Sequence, residues 1–208
     1  MSLYGSIAAA QQGRAFENLG RRFCADEGAV AEFVRIVLTP LLAGLRGWVA
    51  SREGMAAFLR QLSRDDFIEL YKCSAGMSDF AARELGLGVL ANLTSVHDFD
   101  PDVLSRAADA SGVRTADVER MLPFIAVLLM AALRFRVEKP VRQVLSELEK
   151  NPSLGNAVKD PFAALADVVD NPGQKRDRRQ PKGMLRAIFT MRVTAAPADS
   201  ENRIDHRA

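Results

Sequence analysis

The chain has 208 residues, of which 48% are hydrophobic, 26% charged and 7% aromatic. This composition is typical of a globular protein that buries its core without disulfides, and the abundance of Ala and Leu favours helix over sheet. The net charge of +2 is uneven: residues 171–208 carry nine Lys or Arg against four acidic residues, net +5, and residues 1–170 are net −3. This balance argues against a broad nucleic-acid footprint on the acidic body.

The N-terminus lacks the basic start and apolar run of a signal peptide. The sequence contains no stretch of about 18 apolar residues, so no transmembrane segment is predicted. We therefore expect a cytoplasmic protein. Cys24 and Cys73 have no CxxC spacing and no histidine near them in sequence, so we expect both thiols to be reduced and buried as small hydrophobic residues.

Apolar spacing predicts helices through the first half of the chain. Phe16, Leu19 and Phe23 form one stripe of a helix over residues 7–24. Asp26 caps the next helix, in which Pro40 predicts a kink or break because proline removes one backbone hydrogen bond.

Shorter helices follow, with starts at Ser51 and Ser63, and a longer helix begins at Ser78. Residues 73–78 are expected to form a loop around Gly76. Gly86 and Gly88 predict close packing or an early stop of the longer helix, because glycine is a poor helix former.

The second half contains thirteen consecutive apolar residues, 121–133, in a helix capped by Thr115. Thirteen is too few to cross a bilayer, which takes about 20, so this helix is expected to be the buried centre of a helical bundle. Gly112 ends the helix before it. Further helices are predicted to begin at Asp100-Pro101, Pro140 and Pro161.

Residues 25–45 overlie residues 108–128 without a gap, with six identical positions that include Pro40 and Pro123. The overlap is consistent with a duplicated helical unit.

The segment from residue 171 is too rich in charge, Pro and Gly to bury an apolar core, so we expect a largely disordered basic tail with a short amphipathic piece at 184–193. Three interpretations of its basic run stay open: a solvated linker, contact with nucleic-acid phosphates, or binding to anionic lipid or a partner helix. The candidate anion-contacting residues are Lys175, Arg176, Arg178, Arg179, Lys182 and Arg186.

The cluster HDFDPD, residues 97–102, offers one imidazole and three carboxylates. An EF-hand requires glycine where this chain has Val103, so we interpret the cluster as a loop ending in a helix cap, with a cation site as the alternative.

Asp65 and Asp66 are interpreted as helix-capping residues. GLGVLA, residues 86–91, is an incomplete dinucleotide fingerprint, and P-loop, HExxH and GxSxG motifs are absent from the sequence. We predict no catalytic residue, no metal site and no cofactor.

Two blocks, YGSIAAAQQGRAFENLGRRFCADEGAVAEFVRIVLTPLLAGLRG and DVLSRAADASGVRTADVERMLPFIAVLLMAALR, resemble a bacterial family, number 937 among the domains of unknown function, often called YidB-like. The resemblance implies an all-helical bacterial protein and brings no activity, cofactor or site residue. The chain departs from the family pattern at Ala131-Ala132, where a glycine pair is common, and in its basic rather than Gly-rich C-terminus.

We therefore predict an all-α bundle of about seven to nine helices over residues 1–170, a YidB-like domain, followed by the basic tail over 171–208. The preferred function is that of a non-enzymatic cytoplasmic protein that acts through protein–protein interaction. The alternative is a nucleic-acid-associated protein that uses the tail. An enzyme whose site is assembled from distant residues is the least favoured hypothesis.

Overall fold

The computed structural model describes residues 2–73, 79–94, 101–148 and 158–170. Within these ranges, 87% of the residues are helical and none lies in a strand, so the predicted all-α class is confirmed. The division into a domain and a tail stays a prediction, because residues 171–208 lie outside the described ranges. The helices are α1 (Leu3–Ala8), α2 (Ala10–Gly13), α3 (Ala15–Phe23), α4 (Glu27–Trp48), α5 (Arg52–Leu62), α6 (Asp66–Lys72), α7 (Asp79–Thr94), α8 (Pro101–Ser111), α9 (Thr115–Leu148) and α10 (Pro161–Asp170).

Helix α9 forms the centre of the fold. All thirteen apolar residues from 121 to 133 are buried, as the sequence predicted. Helices α7 and α6 pack most extensively against α9, and α1, α3, α5, α8 and α10 also contact it. A helix that is apolar on all sides is stable in water only when surrounded in this way.

Prolines lie inside the two long helices without interrupting them. Helix α4 continues through Pro40, and α9 continues through Pro123 and Pro140. Of the kink or break predicted at Pro40, the break is therefore wrong, and so is the helix start predicted at Pro140. Proline deprives one carbonyl of its N–H partner, but Val137 and Val141, on either side of Pro140, are both buried and hold the two halves of α9 against the core.

The N-terminal segment forms three helices instead of the single helix predicted over residues 7–24. Gln11, Gln12 and Gly13 have φ values of 56°, 62° and 82°, all in the left-handed region. Gln11 Nε2 donates to the carbonyl of Leu70 (3.4 Å), and its Oε1 accepts from Asn18 Nδ2 (2.9 Å). The turn is thus tied to α6 and α3. The predicted stripe of α3 is buried, as expected: Phe16, Leu19 and Phe23.

Helix α7 packs against both long helices through glycines. Gly86 of α7 lies against the backbone of Pro123 in α9, and Gly44 of α4 lies against the backbone of Leu93 in α7. The prediction of close packing is confirmed at Gly86. A Cβ on Gly88 would meet nothing within 4 Å, and α7 continues beyond both glycines, so the early stop is wrong.

Several predicted helix ends are confirmed. Ser51 Oγ accepts from the N–H of Gly54 (2.9 Å), Gly112 follows α8 with φ 73°, and Pro161 begins α10. The start predicted at Ser63 is wrong, because α6 begins only at Asp66.

The predicted repeat is not matched in its helix boundaries. Asp26 precedes α4, whereas its counterpart Asp109 lies inside α8. The chain turns at Gly112 before α9 begins, so the two units differ at the start of their long helix.

The two cysteines are exposed, so the prediction that they are buried is wrong. Cys24 follows the last residue of α3 in a left-handed conformation (φ 51°), and Cys73 follows the last residue of α6.

In the described part of the chain, α4 alone is long and apolar enough, by length and composition, to cross a membrane. Core helices of globular proteins meet the same criterion, and Val30, Phe33, Val37 and Leu41 of α4 are fully buried in the core. Length and composition alone therefore do not assign α4 to a bilayer.

Candidate helix-docking groove

Helix α10 lies in a groove formed by α5 and α9, which we call the docking groove. Helix α5 packs mainly against α10 and makes smaller contacts with α9 and α4. Phe162, Leu165 and Ala166 of α10 are completely buried, and their spacing places them on one face of the helix. The apolar side chains of α5 that are buried are Met55, Ala56, Phe58, Leu59 and Leu62.

The C-terminal end of α10 is held by two arginines of α5. Arg52 Nε donates to the carbonyl of Val169 (2.7 Å), and its Nη2 donates to the carbonyl of Asp170. These carbonyls have no partner within α10, and a cation there also interacts favourably with the helix dipole.

Arg60 adds a second positive charge at the same end. Its Nη2 donates to the carboxylate of Asp170 and lies 3.7 Å from Oδ1 of Asp167. The hydrogen bond with Asp170 raises the pKa of the Arg60 guanidinium. Because Arg60 is half-exposed, these pairs contribute little to stability.

The N-terminal end of α10 is capped locally. Asp160 Oδ1 accepts hydrogen bonds from the backbone N–H groups of Phe162 (3.0 Å) and Ala163 (3.1 Å). Pro161 occupies the first helical position, where its missing N–H costs nothing. The segment therefore carries its own helix-start signal, which does not depend on the groove.

Arg134 lies at the floor of the groove and is only 6% exposed. Its Nη1 donates to the carbonyl of Leu62, and its guanidinium carbon lies 4.6 Å from the centre of the Phe162 ring, a cation–π geometry. Its Nη2 is 3.8 Å from Oδ1 of the exposed Asp65. Its buried Nε has no hydrogen-bond partner among the described residues, which leaves one polar group uncompensated.

A separate open pocket lies beside the left-handed turn. Gln11, Asn18 and Arg22 stand at its polar side, and Leu19, Phe124 and Val127 line its apolar side. The space amounts to about 440 Å³, including solvent at the mouth. Gln11 and Asn18 bond to each other, and Arg22 stacks on Phe124 (4.3 Å) and pairs with Asp79. These polar groups thus already interact with the protein itself.

The described ranges contain no group of three or more His, Cys, Asp or Glu side chains placed to hold a metal ion. His97, Asp98 and Asp100 lie outside the described residues, so the interpretation of their cluster stays a prediction.

Asp65 precedes α6, but its side chain does not cap the helix as predicted. It points instead into solvent near Arg134, with 91% of the side chain exposed.

The predicted anion-contacting residues also lie outside the described ranges: Lys175, Arg176, Arg178, Arg179, Lys182 and Arg186. The groove was not predicted from the sequence. The apolar positions of α10 gave a signal for the docked helix, but Arg52 and Arg60 pair with residues more than 100 positions away and gave none.

Residues 6–136 match the model of a family described as bacterial protein of unknown function, DUF937. The chain belongs to this family. The resemblance expected from the sequence is thereby confirmed over residues 6–136. No curated protein and no solved structure matches the chain. The family match contains α5 and α9 as far as Arg136, and it ends before α10 begins.

Proposed function

We propose that this protein acts by binding a protein partner, without catalysis, and that the docking groove is the binding surface. The observation that supports this proposal is the seating of α10. The family-matched part of the chain supplies the floor and the arginines of a groove, and a helix from outside that match fills it. An amphipathic helix in an apolar groove is a recurrent mode of protein recognition.

The residues around the groove are suited to recognition more than to chemistry. Its apolar floor would provide affinity, and Arg52 and Arg60 at its rim would fix the orientation of a bound helix through charge and carbonyl contacts. Arg134 contacts an aromatic ring and a backbone carbonyl, neither of which is a group that reacts.

Photo-crosslinking in the intact bacterium tests the proposal. A benzophenone amino acid would replace Ala57, an exposed residue of α5, and in a matched control Ala110, an exposed residue of α8. We expect adducts at position 57 that protease removes and nuclease does not, and few or none at position 110. Loss of the adducts on nuclease treatment, or the absence of protein adducts at position 57, would overturn the proposal.

A further inference from the structure

We propose that α10 is the groove's own detachable occupant, and that the partner presents a short helix of the same pattern with an acidic C-terminal end. All positions in the pattern are counted from an aromatic residue. Leucine follows three positions after it, a small residue four after it and an apolar residue seven after it, with acidic residues five and eight positions after it. In α10 these positions are Phe162, Leu165, Ala166, Val169, Asp167 and Asp170. This inference rests on the proposed function and specifies its partner.

The short length of α10 favours its detachment. It has ten residues, and isolated helices below about 12 residues are marginal in water, so its helical form depends on the groove. Its anchorage comes from three completely buried apolar side chains, whereas the charged contacts at its end involve half-exposed groups and add little. Such an element opens at lower cost than the whole fold.

The charge of the rim selects the occupant. Arg52 and Arg60 are satisfied by carbonyl groups and carboxylates at a helix C-terminus. A segment with basic residues at that end would meet like charges. The amphipathic piece of the tail, residues 184–193, carries Arg186 and Arg192 and no acid, so it is a poor occupant on charge alone.

Arg134 selects the first residue of the pattern. Its guanidinium lies over the ring of Phe162, and only an aromatic side chain provides a face for it. Because Arg134 is almost completely buried and its Nε lacks a partner among the described residues, the groove is not ideally satisfied when α10 is seated. A partner with a polar group near the ring could bind better than α10 does.

Intramolecular docking lowers the apparent affinity for any partner. A segment tethered to its own groove has a high effective concentration, so a free helix binds only in the fraction of time that α10 is away. Release of α10 would therefore raise the affinity for the partner without altering the groove.

A fluorescent peptide of residues 158–170, VKDPFAALADVVD, provides the test, with anisotropy as the readout and the full chain as receptor. The opened variant carries Phe162→Ser with Leu165→Ser. The control variant carries Ala163→Ser with Val168→Ser, two partly exposed positions of the same helix. We expect the opened variant to bind at least about tenfold more tightly than the wild type and the control, because the competing segment is removed.

Charge reversal tests the selectivity. Arg60→Asp in the opened variant should weaken binding about threefold or more at low salt, and a peptide with Asp167→Arg and Asp170→Arg should recover it. Failure of the opened variant to bind, or equal binding of a peptide of residues 184–193, would overturn the inference. So would a lack of effect of charge reversal.

Hydrogen exchange on the unmodified protein covers the case in which the opened variant does not fold. We expect the amides of α10 to exchange by local opening, well before those of residues 121–133 in α9. Equal protection of the two helices would show that α10 leaves only when the whole protein unfolds and would contradict the inference.

If the peptide binds but position 57 gives no protein adducts, the proposed function fails and the groove chemistry stands; the converse result removes only the partner pattern.

Discussion

Gly86 of α7 and Pro123 of α9 touch backbone to backbone: a Cβ built on Gly86 would lie 2.1 Å from the carbonyl oxygen of Pro123. A second close approach joins α7 to α4, where a Cβ on Gly44 would lie 2.3 Å from the carbonyl oxygen of Leu93. Real Cβ atoms do not come so near to a carbonyl oxygen. Helix α7 therefore depends on small residues for its position against both long helices.

The substitution Gly86→Ala is expected to destabilise the protein, because two helix backbones must move apart to admit one methyl group. Overpacking of this kind costs about 1–3 kcal/mol. Gly88→Ala, two residues along the same helix, is the matched control. Its Cβ meets nothing within 4 Å, so better helix propensity should stabilise the protein by about 1 kcal/mol. Urea unfolding of both variants measures the difference, and effects of the same sign would contradict the packing.

The left-handed turn at residues 11–13 predicts a stabilising substitution. Gln12 is exposed and has φ 62°, a conformation that costs a residue with a side chain about 1–2 kcal/mol. Glycine avoids that strain but loses more entropy on folding, so Gln12→Gly should stabilise the protein by about 0.5–1 kcal/mol. Gly13→Ala, with φ 82° and open space around it, should act in the opposite direction. Thermal unfolding would refute the turn if Gln12→Gly were clearly destabilising.

Tyr4 predicts a loss of stability in alkali. Its hydroxyl donates to the carbonyl of Ala31 (3.4 Å), and burial, assisted by the nearby Glu32 carboxylate, raises the pKa of Tyr4. The folded state therefore holds the phenolic proton more tightly than the unfolded chain does. The resulting stabilisation is complete below the unfolded pKa of about 10 and is lost as pH rises through the folded pKa.

The variant Tyr4→Phe removes this proton, so its stability should fall less steeply above pH 10 than that of the wild type. Urea unfolding across this pH range measures the two slopes. Equal slopes would mean that the hydroxyl of Tyr4 does not experience the buried environment.

Because both cysteines are exposed, we expect their thiols to react in the folded protein. A disulfide reagent that releases a coloured thiolate should react with both Cys24 and Cys73 in the folded protein, without denaturant. Cys24→Ser and Cys73→Ser should each leave one reactive thiol. A requirement for denaturant at either residue would restore the original expectation of burial. The predicted cytoplasmic location is independent of this result and stays a prediction.

Features encoded by neighbouring residues were predictable from the sequence. Thirteen consecutive apolar residues predicted the burial of α9. Ser51 marks a helix start through its side-chain hydroxyl, and Gly112 marks a helix end through its left-handed backbone. The left-handed turn has one local signal, Gly13. The conformation of Gln11 depends on the carbonyl of Leu70, a residue of another helix, and could not be read from the N-terminal segment.

The candidate site was less predictable than the fold because its contacts are distant in sequence. Proline rules describe the loss of one hydrogen bond and omit the packing of Val137 and Val141, so α9 was divided wrongly at Pro140. The pairing of Arg60 with Asp170 joins residues 110 positions apart. Arg134 directly follows the apolar run, and nothing in its neighbours announces that it is buried beneath Phe162.

The continuity of α9 has a mechanical consequence. Pro123 and Arg134 are eleven residues apart, which is about 16 Å and three turns along one rigid rod, so they lie on nearly the same side of it. The backbone of Pro123 is in direct contact with Gly86, with no room for a side chain between them, and Arg134 contacts the ring of Phe162. A change of occupant that rotates or shifts α9 at Arg134 would therefore also displace α7, although α7 lies far from the groove.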